Sequence, residues 1–168
     1  MIPPFDDVTG YLPPGCYKIS IKEFEKCFVC NFPDSIKRPD LFEGYVDFSI
    51  LMCDEMPSAK KQLINGSFTT NKIDPGDVDL VIVFDSELLT TKEKDKCIIL
   101  MNNTTIKEGY GCHTFPLVKY PKSKPELYAK YLEKKKYWLN CWGSDREDIP
   151  KGIIDIEADG DKFKGCKK

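Results

Sequence analysis

Gln62-Leu63-Ile64-Asn65-Gly66-Ser67, then nine residues later Asp77-Val78-Asp79-Leu80-Val81-Ile82-Val83-Phe84, is the stretch on which the fold turns. The first piece reads as a short strand that runs into Gly-Ser. Asp74-Pro75-Gly76 is a turn signal, and residues 77–84 read as a second strand. Alternation puts Val78, Leu80, Ile82 and Phe84 on one face, while Val81 and Val83 make the other face apolar too. A strand apolar on both faces belongs in the middle of a sheet covered on both sides.

The same stretch carries the chemistry. Asp77 and Asp79 are one residue apart in a strand, so their side chains share a face, two residue rises apart. Two carboxylates this close repel, and burying them without a cation is costly. A divalent metal resolves the conflict, and Mg²⁺ takes one or two carboxylates together with phosphate oxygens and water. Gly66 allows a phosphate close to the backbone, and the following amides and the Ser67 hydroxyl can donate to it. Thr69, Thr70 and Lys72 come next in the chain as further candidate phosphate contacts.

Working outward, residues 1–19 are turn-rich, with Pro3-Pro4 and Leu12-Pro13-Pro14-Gly15, and read as an ordered arm with little regular structure. Ser20 and Glu23 have capping-box spacing ahead of a short helix marked by Phe24, Cys27 and Phe28. A second helix begins near Pro39, carries Leu41, Tyr45, Phe48 and Met52 at helical spacing, and stops at Pro57. Asp85 ends the central strand and reads as the cap of the next element. The pattern then gives a polar helix over 92–103, Leu100 and Met101 near its end, and a third strand over 111–118. Pro125 opens the longest helix, whose stripe of Leu127, Tyr128, Tyr131, Leu132, Trp138, Leu139 and Trp142 reads as core, with Gly143 at its C-cap. Asp145 and Arg146 read as an ion pair at its exit, and Ile153-Ile154-Asp155-Ile156-Glu157 as a final edge strand. The whole is a single α+β domain over 1–168 with one small mixed sheet flanked by helices, ending in a Lys-rich tail over 161–168.

Composition bounds the function. The chain has 168 residues, 41% of them hydrophobic and 31% charged, which suits one globular domain. No run of about 18 apolar residues exists to span a membrane, and the start lacks the basic and apolar regions of a signal peptide, so a cytoplasmic protein is expected. A net charge of −2 gives no bulk affinity for nucleic acid or anionic lipid. Lysines cluster locally at Lys130, Lys134, Lys135 and Lys136 and again at Lys162, Lys164, Lys167 and Lys168, as a solvated helix face and a soluble tail, with an RNA-facing patch as the other reading. The eight cysteines sit within apolar patterns, and the Cys27-Phe28-Val29-Cys30 pair has no second pair with which to hold zinc.

Taken together, Ile64-Asn65-Gly66-Ser67-Phe68 and Asp77-Val78-Asp79-Leu80 resemble the signature of the polymerase-β-like nucleotidyltransferase superfamily. Leu12-Pro13-Pro14-Gly15, Ser20 with Glu23-Phe24, Trp142-Gly143, Asp145-Arg146 and Pro150-Lys151-Gly152-Ile153 resemble a prokaryotic and phage domain of that superfamily, so the likeness extends over nearly the whole chain. The resemblance implies a minimal nucleotidyltransferase fold that moves NMP from an NTP such as ATP to a hydroxyl of a small molecule, a protein side chain or an RNA end. By the same resemblance, Gly66 and Ser67 would hold the triphosphate, Asp77 and Asp79 would bind Mg²⁺ or Mn²⁺, and a carboxylate on the next strand would complete the metal site.

That carboxylate is where the sequence departs from the pattern. Gly111-Cys112-His113-Thr114-Phe115-Pro116-Leu117 has no acid, and His113 stands in its place. An imidazole is a poor Mg²⁺ ligand but a competent general base. His113 as base, or as a strand histidine without a catalytic part, are both open readings, and Glu108 or Asp155 are the other carboxylates to consider. The rival to an enzyme is a binding module on the same fold, regulating through nucleotide or a partner protein; a toxin–antitoxin or phage–host conflict role fits either by family analogy alone.

Overall fold

The fold is a computed structural model, described over residues 2–100 and 103–167 with the side chains of 99, 100 and 103 excepted. In chain order its elements are β1 (Cys16–Lys18), α1 (Ile21–Glu25), α2 (Arg38–Glu55), β2 (Ala59–Asn65), β3 (Val78–Asp85), α3 (Thr91–Leu100), α4 (Asn103–Tyr110), β4 (Cys112–Lys119), α5 (Pro125–Trp142), β5 (Ile153–Glu157) and α6 (Gly160–Lys164). The five strands form one mixed sheet of order β1-β5-β2-β3-β4. Its centre, β2 with β3, is antiparallel; β4 runs parallel to β3, β5 antiparallel to β2, and β1 parallel to β5. This is an α+β fold.

The two apolar faces of β3 set the layers. Val78, Leu80, Ile82 and Phe84 point into the main core, where α1 and α2 bring Phe24, Tyr45, Phe48 and Met52. Val81 and Val83 face the other way, with Leu63, Leu117 and Ile153, against Tyr131, Trp138, Leu139 and Trp142 of α5. Asp77 and Asp79 belong to this second face. The short α1 starts on the expected capping box, with both reciprocal Ser20–Glu23 bonds present. A π-helical turn, Lys26–Cys30, extends it.

Several expectations are corrected. The N-terminal arm has little regular structure, as expected, but its residues 16–18 form a short strand, β1, which pairs with β5. Consequently β5 is an inner strand, flanked by β1 and β2, and the edges are β1 and β4. The helix over 92–103 is instead Thr91–Leu100, and a separate helix, Asn103–Tyr110, comes after it. Met101 and the side chain of Leu100 lie outside the described residues. The α5 stripe packs on the sheet only through the half-buried Tyr131, Trp138, Leu139 and Trp142, while Leu127 and Leu132 are exposed. Gly143 does cap α5, in right-handed rather than left-handed conformation. The Lys-rich tail is docked, not free. Phe163 of α6 is fully buried, and Lys164 and Lys167 reach Asp54 and Asp47 of α2 at 2.9 and 2.7 Å.

Candidate metal and nucleotide site

β2 delivers Asn65 to the top of the sheet, where its amide does two things. Nδ2 donates to the Gly152 carbonyl (3.0 Å) and Oδ1 accepts from the Gly66 N–H (2.8 Å), so the strand end is fixed as the chain turns. Gly66 then adopts φ 78°, ψ −162°, a region essentially reserved for glycine. The turn has a second requirement for glycine: a Cβ here would overlap Asp79 Oδ2 and come within 2.8 Å of its Cγ. The Gly66 loop and the Asp79 carboxylate are therefore in direct contact. A 3₁₀ turn, Ser67–Thr69, carries the chain onward.

Arg38 holds the loop beyond that turn. It is fully buried, and its five N–H donors meet five carbonyls: Phe28 (2.7 Å), Phe68 (2.7 Å), Thr70 (2.8 Å), Lys72 (2.6 Å) and Ile73 (3.1 Å). Its guanidinium also stacks on Phe32, 3.8 Å from the ring centre. Burial takes its pKa down to about 10, with Asp74 acting in the opposite direction, so it stays charged at neutral pH. Asp74 closes the loop by accepting from the Ser35 hydroxyl (2.8 Å) and the Ile36 and Lys37 N–H groups at the start of α2. Nothing in the sequence pattern singles out Arg38, one basic residue beside Pro39.

On β3 and β4 the register aligns Asp79 with His113. His113 Nδ1 lies 3.2 Å from Asp79 Oδ1. One ligand atom each from Asp77, Asp79 and His113 lie within 4.8 Å of one another, all half-buried. Burial and the neighbouring Asp77 raise the pKa of Asp79, while His113 and Lys151 pull it the other way. This is the conflict expected of two acids sharing one place. Two carboxylates and an imidazole that all line the cleft would fit a divalent cation. Lys107, from the α4 that the sequence pattern does not reveal, places its ammonium 2.6 Å from Asp77 Oδ2. It is a rim residue, more than half exposed, and competes with a cation for that oxygen.

These groups line an open cleft of about 940 Å³. Gly66, Ser67, Lys72, Asp77, Asp79 and His113, all singled out in the sequence, come together there. Thr69 does not: it is buried, with its hydroxyl donating to the Gly66 carbonyl (3.3 Å), and Thr70 and Asn71 line the wall instead. Asp155, opposite Leu63 in the register, lines a separate groove and is paired with Lys61 at 2.6 Å, so it is not a third acid of this site. Glu108 lines a small depression beside His113, outside the cleft. Asp145 does not pair with Arg146; it accepts from the Tyr11 hydroxyl (2.8 Å) and the Glu147 and Ile149 N–H groups, while both residues line the far wall. Lys151 completes that wall, half-buried, its ammonium over the Tyr11 ring.

The eight cysteines are all free thiols, Cys27 and Cys30 included. Among the described residues no helix is long and apolar enough to cross a membrane.

Residues 3–157 match the model of a family of unknown function (DUF6932). No curated protein and no solved structure matches the chain.

Proposed function

The chain belongs to the family of unknown function DUF6932, and from the geometry of its cleft we propose that it is a divalent-metal-dependent nucleotidyltransferase. In this reading an NMP group passes from an NTP to an acceptor hydroxyl, and pyrophosphate leaves. The observation that carries it is the convergence of Asp77, Asp79 and His113 within 4.8 Å directly beside the Gly66 loop. A carboxylate pair and a glycine turn in contact with each other suit an NTP with its cation.

Each residue has a part. Asp77 and Asp79 hold the cation, Mg²⁺ or Mn²⁺, which when bound supplies charge neutralisation for the phosphates. Gly66 lets the triphosphate approach the backbone, with the amides and hydroxyl of Ser67 as donors. Lys72, Arg146 and Lys151 line the same cleft and offset the remaining phosphate charge. His113, bonded to Asp79, takes the proton of the acceptor hydroxyl as that oxygen bonds to the α-phosphorus. A cytoplasmic setting, where thiols stay reduced, suits eight unpaired cysteines.

A second reading, a nucleotide-binding regulatory module without turnover, is favoured by Lys107. Its ion pair with Asp77 neutralises one carboxylate without a metal. One experiment separates the two: each NTP is added with Mg²⁺ or Mn²⁺ to the intact chain, and both thermal stabilisation and pyrophosphate release are read. Stabilisation with pyrophosphate release supports transfer. Stabilisation without pyrophosphate, across all four NTPs and a range of acceptors, supports the module, and no stabilisation removes both.

A further inference from the structure

On the same face of the sheet, at the opposite strand ends, a groove of about 550 Å³ opens between the sheet and the N-terminal half of α5. It shares no lining residue with the cleft, and the tilted and edge-on rings of Phe115, Trp138 and Trp142 stand between them. It exists because α5 stands off the sheet ahead of Trp138, so Leu63, Val83 and Leu117 are roofed by Tyr131 and Leu139 rather than by a close-packed helix face.

The charges around it are unbalanced. Lys18, Lys60, Lys119 and Lys135 line the groove, and none has a carboxylate at ion-pair distance among the described residues. With Lys61 the lining carries five lysines against three acids, Asp85, Asp155 and Glu157, an excess of two positive charges. Glu157 is drawn to Lys162 at 3.4 Å, and Asp85 accepts from the Glu87 N–H at 3.0 Å. Four unpaired ammonium groups around one groove attract an anion. Asp155 adds a different demand. Only 7% exposed, it accepts from Lys61 through Oδ2, while its buried Oδ1 has no donor among the described residues. A buried carboxylate oxygen without a donor calls for one.

We propose that this groove binds a small anion carrying a flat ring with an N–H donor, the chemistry of a nucleoside monophosphate. The phosphate sits among the rim lysines, the ring lies between Tyr131 and the aliphatic floor, and the N–H reaches Asp155 Oδ1. The volume suits a ligand of that size. Four free cations favour a doubly charged phosphate over a single carboxylate. The site is independent of the catalytic reading, since it uses neither the acids nor the Gly66 loop.

The test is calorimetric titration of the intact chain in EDTA with AMP, adenosine, ribose 5-phosphate and L-tryptophan. AMP is expected to bind, with adenosine, ribose 5-phosphate and tryptophan each at least ten-fold weaker. The Lys60→Glu/Lys119→Glu variant, altered at two exposed positions, should lose at least ten-fold in AMP affinity, and Lys135→Glu alone should weaken it in the same direction. Asp77→Asn/Asp79→Asn should bind AMP within two-fold of the parent, which separates this site from the cleft. The proposal is overturned by absence of AMP binding, by ribose 5-phosphate or tryptophan binding as tightly, or by lysine variants that bind AMP unchanged. Capture of a single-stranded oligonucleotide without AMP binding overturns it equally.

Discussion

His113 stands beside Asp79 in the parallel register of β4 and β3, its Nδ1 3.2 Å from Oδ1. The imidazole thus lies beside the acid pair, its ring nitrogen within 4.8 Å of an oxygen of each. Mg²⁺ favours hard oxygen donors over imidazole nitrogen. His113→Asp should therefore tighten Mg²⁺ binding by ten-fold or more while lowering the stability of the metal-free protein through a third negative charge. Titration of Mg²⁺ into the two proteins reads this directly. A variant that binds Mg²⁺ more weakly than the parent would show that position 113 does not face the cation. His113→Ala should retain the fold and lose on the order of 10²-fold in transfer, the usual contribution of a positioned general base.

Gly66 meets Asp79 so closely that any side chain must displace the carboxylate. Gly66→Ala combines that overlap with a backbone region closed to other residues, a cost of order 1–3 kcal/mol. Urea unfolding should show it as a lowered midpoint at unchanged slope. Stabilisation by Mg²⁺ should disappear in the same variant, because Asp79 no longer points at the shared centre. Retained metal stabilisation in Gly66→Ala would mean that the loop and the acid act separately.

Asp79 carries its charge at a cost, since burial and Asp77 both oppose ionisation. Replacing it with Asn removes that repulsion and keeps the side-chain shape. In EDTA, Asp79→Asn should unfold no earlier than the parent, and with Mg²⁺ the parent alone should gain stability. Transfer should fall by 10³-fold or more in Asp77→Asn/Asp79→Asn with the circular-dichroism spectrum unchanged. A double variant that still releases pyrophosphate at the parental rate would place the chemistry elsewhere.

Arg38 is the hidden support of the cleft. Losing its guanidinium leaves five carbonyls of the 28–73 region without donors, so Arg38→Met should cost about 1–3 kcal/mol for each that stays buried. Lysine has three donors on a point charge and does not replace a five-donor fork, so Arg38→Lys should recover little. Limited proteolysis should cut both variants within 68–76 before any other site; a loop as resistant as the parent's would show that the carbonyls find other partners.

How much of this was legible depends on which forces leave a period in the sequence. Two-sided burial of β3 was visible because Val78 to Phe84 is apolar at every position but Asp79, and the spacing of Asp77 and Asp79 fixed their common face. The capping box at Ser20 and the start of α5 at Pro125 were visible for the same local reason. Arg38 was not, because a buried guanidinium satisfied by carbonyls depends on long-range folding and has no pattern of its own. α4 was missed because Asn103–Tyr110 buries little besides Ile106, too few apolar contacts to print a helical period. The inner place of β5 was hidden because β1 is three residues long and sits among prolines and glycine. Lys107 and the groove lysines belong to the same class: their meaning comes from what surrounds them in space.

Glu93 provides a test of the fold that does not depend on the cleft. Its carboxylate accepts from the Ser58 N–H (3.0 Å), the Thr90 N–H (2.8 Å) and the Thr90 hydroxyl (2.9 Å), and its own N–H returns to Thr90 Oγ1, a capping box that also pins the turn before β2. Burial pushes its pKa up, but the Thr90 and Ser58 donors outweigh it and take the carboxyl from 4.5 down to about 2. A carboxyl lowered in the folded state stabilises above its unfolded value, so this contribution is intact above pH 4.5 and is lost as the pH falls from there toward 2. Glu93→Gln should therefore flatten the acid limb of a urea-midpoint profile between those values while changing little of its shape above about pH 6. Glu93→Ala, which strands the Ser58 N–H as well, should cost about 1–3 kcal/mol at neutral pH. An acid limb as steep in Glu93→Gln as in the parent would assign the acid sensitivity to other carboxylates.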